Sequence, residues 1–291
     1  MCAFKWNKRE EHKMRKITES AVQAFRDSLF MDEKSRATVS KYIQAVRRLA
    51  VFLGGEELTK LRLLEYREHL QSKNKAQTVN GALSAISAFL DFCGWQECRI
   101  KLLKVQHQVF AQESRELSEA EYKRLLQTAK DRKNKRLYML MLTLCGTGIR
   151  IGELEYITVE AVRRGRAEIR MKGKNRMVIL QKELRKKLLK YVKEQGIEGG
   201  YIFRTRSGKP MDRSNICHDM KKLCAAANVE PGKVFPHNLR HLFARTFYAI
   251  EKNLAHLADV LGHSRIETTR IYVAVSAAIH ERTLSRMRLV I

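Results

Sequence analysis

The sequence predicts a mainly α-helical protein with one small antiparallel β-sheet, organised as two domains. Three observations point there. A chain of 291 residues is long enough to build two separate cores. Hydrophobic residues make up 44% of it and prolines number only 3, a balance that favours packed helices over disorder. Apolar residues recur at helical spacing in both halves, and alternation replaces that spacing only near residues 169–180.

In the first half, Thr38, Tyr42, Val46, Leu49 and Phe52 form one helical stripe, and Thr78, Leu83, Ile86, Phe89 and Leu90 form another. These are the inner faces of amphipathic helices around a small all-α core. Between them Leu61, Leu64, Tyr66 and Leu70 predict one or two shorter helices, entered through Thr59 as the N-terminal cap. After Leu103 the periodicity fades, and the polar segment 104–116 reads as an interdomain linker. Ser118 followed by Glu121 has the spacing of a capping box, so a helix should begin there. An apolar helix over 137–144 runs into the turn Gly146-Thr147-Gly148, with a new helix expected from about Arg150. Alternation then takes over at Ile169, Met171, Met177 and Ile179, with Val178 and Leu180 beside them. The break at Lys172-Gly173-Lys174-Asn175 marks a hairpin. From Asn215 the pattern is helical again, and no internal repeat is found.

Lys and Arg number 57 against 31 Asp and Glu, a net charge of +26. The excess is spread over the chain, with +8 in residues 1–106 and +18 in residues 107–291. Solvated helix faces explain local charge runs, but an excess maintained through both halves points to a polyanionic partner. No run approaches the roughly 18 apolar residues of a membrane span, and residues 1–17 alternate charges where a signal peptide would be apolar. The expectation is a soluble, intracellular protein without membrane contact. Cys2, Cys93, Cys98, Cys145, Cys217 and Cys224 are scattered without a C-x-x-C step, which argues against structural zinc and disulfides.

Four segments carry the chemistry: Thr147-Gly148-Ile149-Arg150-Ile151-Gly152-Glu153-Leu154, the hairpin Lys172-Gly173-Lys174, His237-Asn238-Leu239-Arg240-His241, and Leu261-Gly262-His263-Ser264 with Thr268-Thr269-Arg270-Ile271-Tyr272. Individually each has an ordinary explanation as a solvated or packed group. Together, and in this order, they resemble the tyrosine recombinase (phage-type integrase) family: T-G-x-R-x-x-E-L, a hairpin lysine, H-x-L-R-H, L-G-H-S and T-T-x-x-Y. The looser pattern of Thr38 to Phe52 is similar to that family's helical core-binding domain, so the resemblance covers the chain from about Ile17.

The resemblance implies a basic N-terminal extension over 1–16, a helical SAM-like core-binding domain over 17–103, the linker 104–116, and a mixed α+β catalytic domain over 117–291. The last part of that domain, about 277–291, would be a segment exchanged between subunits. Metal-free cleavage of a phosphodiester needs a nucleophile, charge stabilisation and a proton for the leaving alkoxide. The family pattern assigns Tyr272 as nucleophile and Arg150 and Arg240 as forked clamps on phosphate oxygens. Lys172 would be the general acid, its pKa lowered by neighbouring guanidiniums, with Lys174 as runner-up. His237 would assist proton transfer at the tyrosine and His263 would donate to a phosphate oxygen. Glu153 would be a supporting carboxylate that orients the site. Asn238 departs from relatives that carry an acidic residue, at a position given no catalytic role.

The implied activity is site-specific strand exchange through a 3′-phosphotyrosyl intermediate and a Holliday junction, with no cofactor and no metal. The implied partners are duplex DNA with inverted-repeat core sites, enclosed by a C-shaped clamp, three further copies of the chain in a tetramer, and accessory proteins that impose direction. Three other readings compete. His237 and His241 have the spacing of a helical metal site but lack the glutamate of H-E-x-x-H. A non-cleaving DNA-binding protein should show a damaged residue set, and this set is complete. A type IB topoisomerase-like enzyme would use the same groups and differ only in assembly.

Overall fold

The computed structural model describes residues 15–105, 115–171 and 174–272. It divides into two compact units, residues 1–107 and 108–291. The extension 1–16, most of the linker 104–116, Lys172 and the segment 277–291 fall largely or wholly outside the described residues.

The first unit is built from four helices: α1 (Glu19–Met31), α2 (Arg36–Leu53), α3 (Lys60–Lys73) and α4 (Ala76–Cys93). Side-chain caps fix three of the starts, since Thr18, Ser35 and Thr59 accept backbone N–H bonds from Ala21, Thr38 and Arg62. Gly54 and Gly94, both left-handed, end α2 and α4. Val22, Phe25 and Leu29 of α1 pack with Val39, Ile43 and Val46 of α2 and Phe89 of α4. The phenyl rings of Phe25 and Phe89 meet edge to face at 5.3 Å. A second cluster joins Leu49, Leu53, Leu58, Leu63, Tyr66, Ile86 and Leu90.

The region after Thr59 is one helix, and its inner face differs from the expectation. Leu61 is exposed, whereas Leu63 and Tyr66 are buried. With leucines at 61, 63 and 64, two phases fit the pattern equally well, and contact with α4 selects the second.

In the second unit, α5 (Glu119–Asp131) starts with the capping box: Glu121 N–H bonds to Ser118 Oγ, and the Glu121 carboxylate accepts from Ser118 N–H. The apolar α6 (Lys135–Thr147) ends at Gly148, which is left-handed with φ +63°. The helix expected from about Arg150 is a 3₁₀ helix, Ile151–Tyr156, with Arg150 at its N-terminal cap. Gly152 and the bonds drawn by Glu153 back to Arg150 tighten this turn. A short α7 (Val159–Arg164) leads into β1 (Arg166–Met171) and β2 (Lys174–Ile179).

The two strands pair antiparallel, with Ala167 opposite Val178 and Ile169 opposite Arg176. Lys174 and Asn175 belong to β2, so the turn is shorter than the sequence suggests. The inward face also differs. Val178 and Leu180 are buried, and Met177 and Ile179 are exposed, which gives Arg176 the parity of the core face.

Helices α8 (Lys182–Glu194), α9 (Arg213–Lys221), α10 (Cys224–Ala227), α11 (Pro236–Glu251), α12 (Leu254–Leu261) and α13 (Glu267–Arg270) complete the unit. Its main core runs from Leu117 to Leu239 and is centred on α6. Ala244, Leu257, Leu261 and Tyr272 form a smaller cluster with Phe243, Phe247 and Tyr248. No helix of the described residues is long and apolar enough to cross a membrane.

Candidate active site

The site is assembled from helix α11 and the chain reversals at Gly148 and Gly262. Pro236 opens α11, where its missing N–H costs nothing. One and four residues later, His237 and Arg240 project from the same face, with His241 beside them. Gly148 admits α11 to the end of α6, because a Cβ there would lie 2.3 Å from the Phe243 ring. Gly262 ends α12 in the left-handed conformation, and the His263 N–H then bonds to Ala258 O at 2.9 Å.

Arg240 is fully buried. Its Nη1 donates to Gly148 O at 2.6 Å, and its Nη2 donates to Leu261 O and His263 Nε2, both at 2.8 Å. The Nε–H has no partner, and among the described residues no carboxylate pairs with this guanidinium. Burial and the nearby Arg150 charge pull its pKa down to about 10. The site therefore holds a buried positive charge that no carboxylate of the described residues neutralises, together with an unspent donor.

His263 Nδ1 lies 2.8 Å from Oγ1 of buried Thr269. Since Nε2 faces an Arg240 donor, the neutral tautomer with its proton on Nδ1 fits both contacts. Burial, reinforced by Arg240 and Arg150, pushes the His263 pKa down to about 4. The ring stacks on Tyr272, with centroids 5.5 Å apart and planes 14° apart. Tyr272 is only 6% exposed. Its hydroxyl is 3.5 Å from His237 Nε2, and the Arg240 guanidinium lies 6.0 Å from the centre of its ring. Burial and the Arg240, Arg150 and Arg213 charges hold His237 below the ordinary imidazole value, so it too is neutral near pH 7.

Arg150 is the most open member of the set, with its side chain 42% exposed. Its backbone N–H donates to Glu153 Oε2 at 2.7 Å, and Nη1 reaches Glu153 Oε1 at 3.1 Å. Glu153 is buried and shares its carboxylate with Arg176. Burial alone would raise the Glu153 pKa, but the Arg150 N–H and the two guanidiniums outweigh it and hold the carboxyl below its usual value. The structure thus brings together Arg150, Glu153, His237, Arg240, His263 and Tyr272. Lys172 and the side chain of Lys174 lie outside what it describes.

Two residues around the site, Arg176 and Arg245, escape the sequence motifs, and His241, which closes H-x-L-R-H, has no role assigned there. Arg176 could have been found from its inward parity two residues before Val178. His241 packs edge-on against Tyr272 at 4.5 Å and His237 at 4.9 Å. Arg245 bonds to Glu116 and to Leu117 O, the latter at 2.6 Å. Asn238 also has a function in the fold, since Nδ2 donates to Arg115 O and Lys233 O at 2.8 Å each. An acidic residue could not supply those donors. His237 and His241 gain no third ligand: among the described residues no group of three or more His, Cys, Asp or Glu could hold a metal.

Residues 115–278 match the family model described as the phage integrase family, and residues 22–92 match that of the phage integrase N-terminal SAM-like domain. Tyrosine recombinase XerA of Thermococcus kodakarensis is 28% identical over 265 residues, covering 88% of this chain and 90% of that protein. TnP I resolvase of Bacillus thuringiensis is 29% identical over 277 residues, covering 86% and 94% respectively. Among solved structures, a lambda integrase dimer bound to a core site superposes with a TM-score of 0.71 at 17% identity, covering 87% of this chain and 76% of that one. XerH recombinase bound to its difH substrate gives 0.69 at 16% identity, covering 92% and 84%. The structural likenesses establish the fold. The family model spans more than half of the chain, over the same segment that gathers the arginines, histidines and tyrosine, and the chain belongs to the phage integrase family of site-specific tyrosine recombinases.

Proposed function

We propose that the chain cleaves and rejoins DNA strands at a specific site through a phosphotyrosine at Tyr272. The observation that carries this reading is the pairing of a buried Tyr272, its hydroxyl 3.5 Å from His237 Nε2, with a buried Arg240 that has no carboxylate partner among the described residues. A phosphodiester supplies the missing negative charge and an acceptor for the idle Nε–H.

In the forward step the Tyr272 oxygen attacks phosphorus, and its proton passes to neutral His237. The phosphate's charge offsets the surrounding guanidiniums and makes that imidazole a better base. Arg240 and Arg150 hold the non-bridging oxygens as negative charge builds on them. The bond from phosphorus to the 5′ oxygen breaks, Lys172 protonates the departing alkoxide, and a 3′-phosphotyrosine remains. Rejoining reverses each transfer, so the bond energy is kept and no nucleotide cofactor is needed. His263 contributes by exchange: when phosphate takes Arg240 donors, the Arg240–His263 bond loosens, the ring proton shifts from Nδ1 to Nε2, Thr269 Oγ1 turns to donate to Nδ1, and Nε2–H donates to a phosphate oxygen. Glu153 holds Arg150 in place and does no proton transfer.

A nicked suicide substrate tests the nucleophile. The wild-type protein should form a denaturant-stable adduct with DNA and Tyr272→Phe should form none, whereas an undiminished adduct in that variant would move the role elsewhere. Exchange between two sites would proceed in a tetramer linked by residues 277–291, with direction set by accessory proteins in a prokaryotic or mobile-element setting. Removing residues 284–291 should leave single-site binding intact and abolish the tetramer in sedimentation on two-site DNA. A normal tetramer would end the exchange-segment reading.

A further inference from the structure

Arg176 lies on the core face of β2 with its side chain only 13% exposed. A charge placed there is costly unless its partners are in position. Two are. Nη2 pairs with the Glu153 carboxylate, and Nη1 donates to Val260 O at 2.6 Å. Glu153 in turn holds Arg150 by backbone and side chain, and Val260 lies in α12, three residues before His263. One guanidinium thus joins the strand, the Arg150 turn and the loop that carries His263.

The path between them depends on a missing atom. A Cβ at residue 262 would lie 2.3 Å from Arg176 Cδ and 2.9 Å from its Nε. Gly262 therefore serves two purposes, ending α12 in a left-handed conformation and leaving the corridor through which Arg176 reaches Val260. Neutralising Glu153 would need neither the bond to Val260 nor this corridor, and Arg150 already stands beside that carboxylate. Fastening the strand needs both. Among the described residues the sheet has only two strands, and a two-stranded hairpin is marginal unless something else holds it.

We propose that Arg176 is a positioning residue for strand cleavage. By fastening β2 to the Arg150 turn and to α12, it sets where the start of that strand, two residues beyond Lys172, stands against the reacting phosphate. The proposal rests on reading Lys172 as the acid for the 5′ oxygen. Sulfur at the bridging 5′ position leaves as a thiolate and needs no acid, so it separates a misplaced acid from every other defect.

Arg176→Met should cleave the ordinary oxygen substrate slower by about 10²-fold, in the range lost when a general acid is removed. On the sulfur substrate it should approach the wild-type rate, as Lys172→Ala does, while Arg150→Ala stays slow on both. Gly262→Ala, which fills the corridor, should reproduce the Arg176→Met pattern, and the double variant should be no slower than the worse single one. Circular dichroism and a single-site gel shift establish that each variant is folded and binds DNA. Should Arg176→Met fail to fold, Arg176→Lys replaces it: an ammonium keeps the charge beside Glu153 without spanning to Val260 O, and it should show the same sulfur rescue. Equal slowing on both substrates, or an unimpaired Arg176→Met, overturns the positioning role. If sulfur fails to rescue Lys172→Ala itself, the acid reading is lost and the proposal with it. Rescue of Lys172→Ala but not of Arg176→Met sinks the positioning role alone.

Discussion

Arg240 was legible in the sequence because its motif is ordered and dense, but the neighbours that make it reactive were not. The two carbonyls that orient the guanidinium belong to Gly148 and Leu261, far from residue 240 in the chain, and no local pattern shows that its own Nε–H is left unpaired. Asn238 shows the same limit from the other side. As a letter it is a departure from relatives, whereas as a side chain it is a double donor holding the entrance of the second unit. Asn238→Asp removes both bonds and sets a carboxylate against two carbonyl oxygens at a buried position. The expected loss is about 2–4 kcal/mol of stability, read as a lower urea midpoint with an unchanged slope. A shift under about 0.5 kcal/mol, the usual size of a neutral surface change, would mean that the entrance is held in some other way.

At the scale of elements, side-chain caps and periodic stripes were readable, because they depend on residues within a turn or two of each other. The capping box at Ser118 and the cap at Thr59 formed as expected. The turn after Arg150 takes its 3₁₀ form from bonds between Arg150 and Glu153 within one turn, whereas the face of α3 was misread because contact with the distant α4 decides it. The site has a property that no periodicity shows, imidazoles buried among arginines, with His241 on α11 and His263 just after α12. Burial first, then the nearby charges, push the pKa of His241 and of His263 to about 4. An imidazole with a lower pKa folded than unfolded binds protons more readily in the unfolded chain, so acid favours unfolding. Stability should be constant above about pH 6.5 and fall as pH drops towards 4, by a few kcal/mol in all, given about 1.4 kcal/mol per pH unit per group and partial solvent screening. Melting curves across that range measure it. His241→Phe, which removes one of the two groups and leaves no broken bond at Nδ1, should flatten the slope, and an unchanged slope would exclude His241 as a source.

For the whole molecule, composition gave the class, order of motifs gave the family, and neither gave the internal boundaries of the working parts. The bonds from Asn238 to Arg115 O and from Arg245 to Glu116 and Leu117 O close a clasp between the described end of the linker and the helix that bears His237 and Arg240. A truncated polypeptide that begins at Arg115 carries its own latch, and one that begins at Glu119 does not. The four residues between these starting points contain one buried apolar side chain, Leu117, so their loss should matter more than their length suggests. Expressed alone, residues 115–291 should melt as a cooperative unit and still label a suicide substrate weakly. Residues 119–291 should melt lower and label less, and equal melting of the two pieces would show that the latch is ornamental. On the first of those outcomes, the smallest autonomous enzyme within this chain would be delimited by a backbone carbonyl held from within the catalytic helix, four residues ahead of α5.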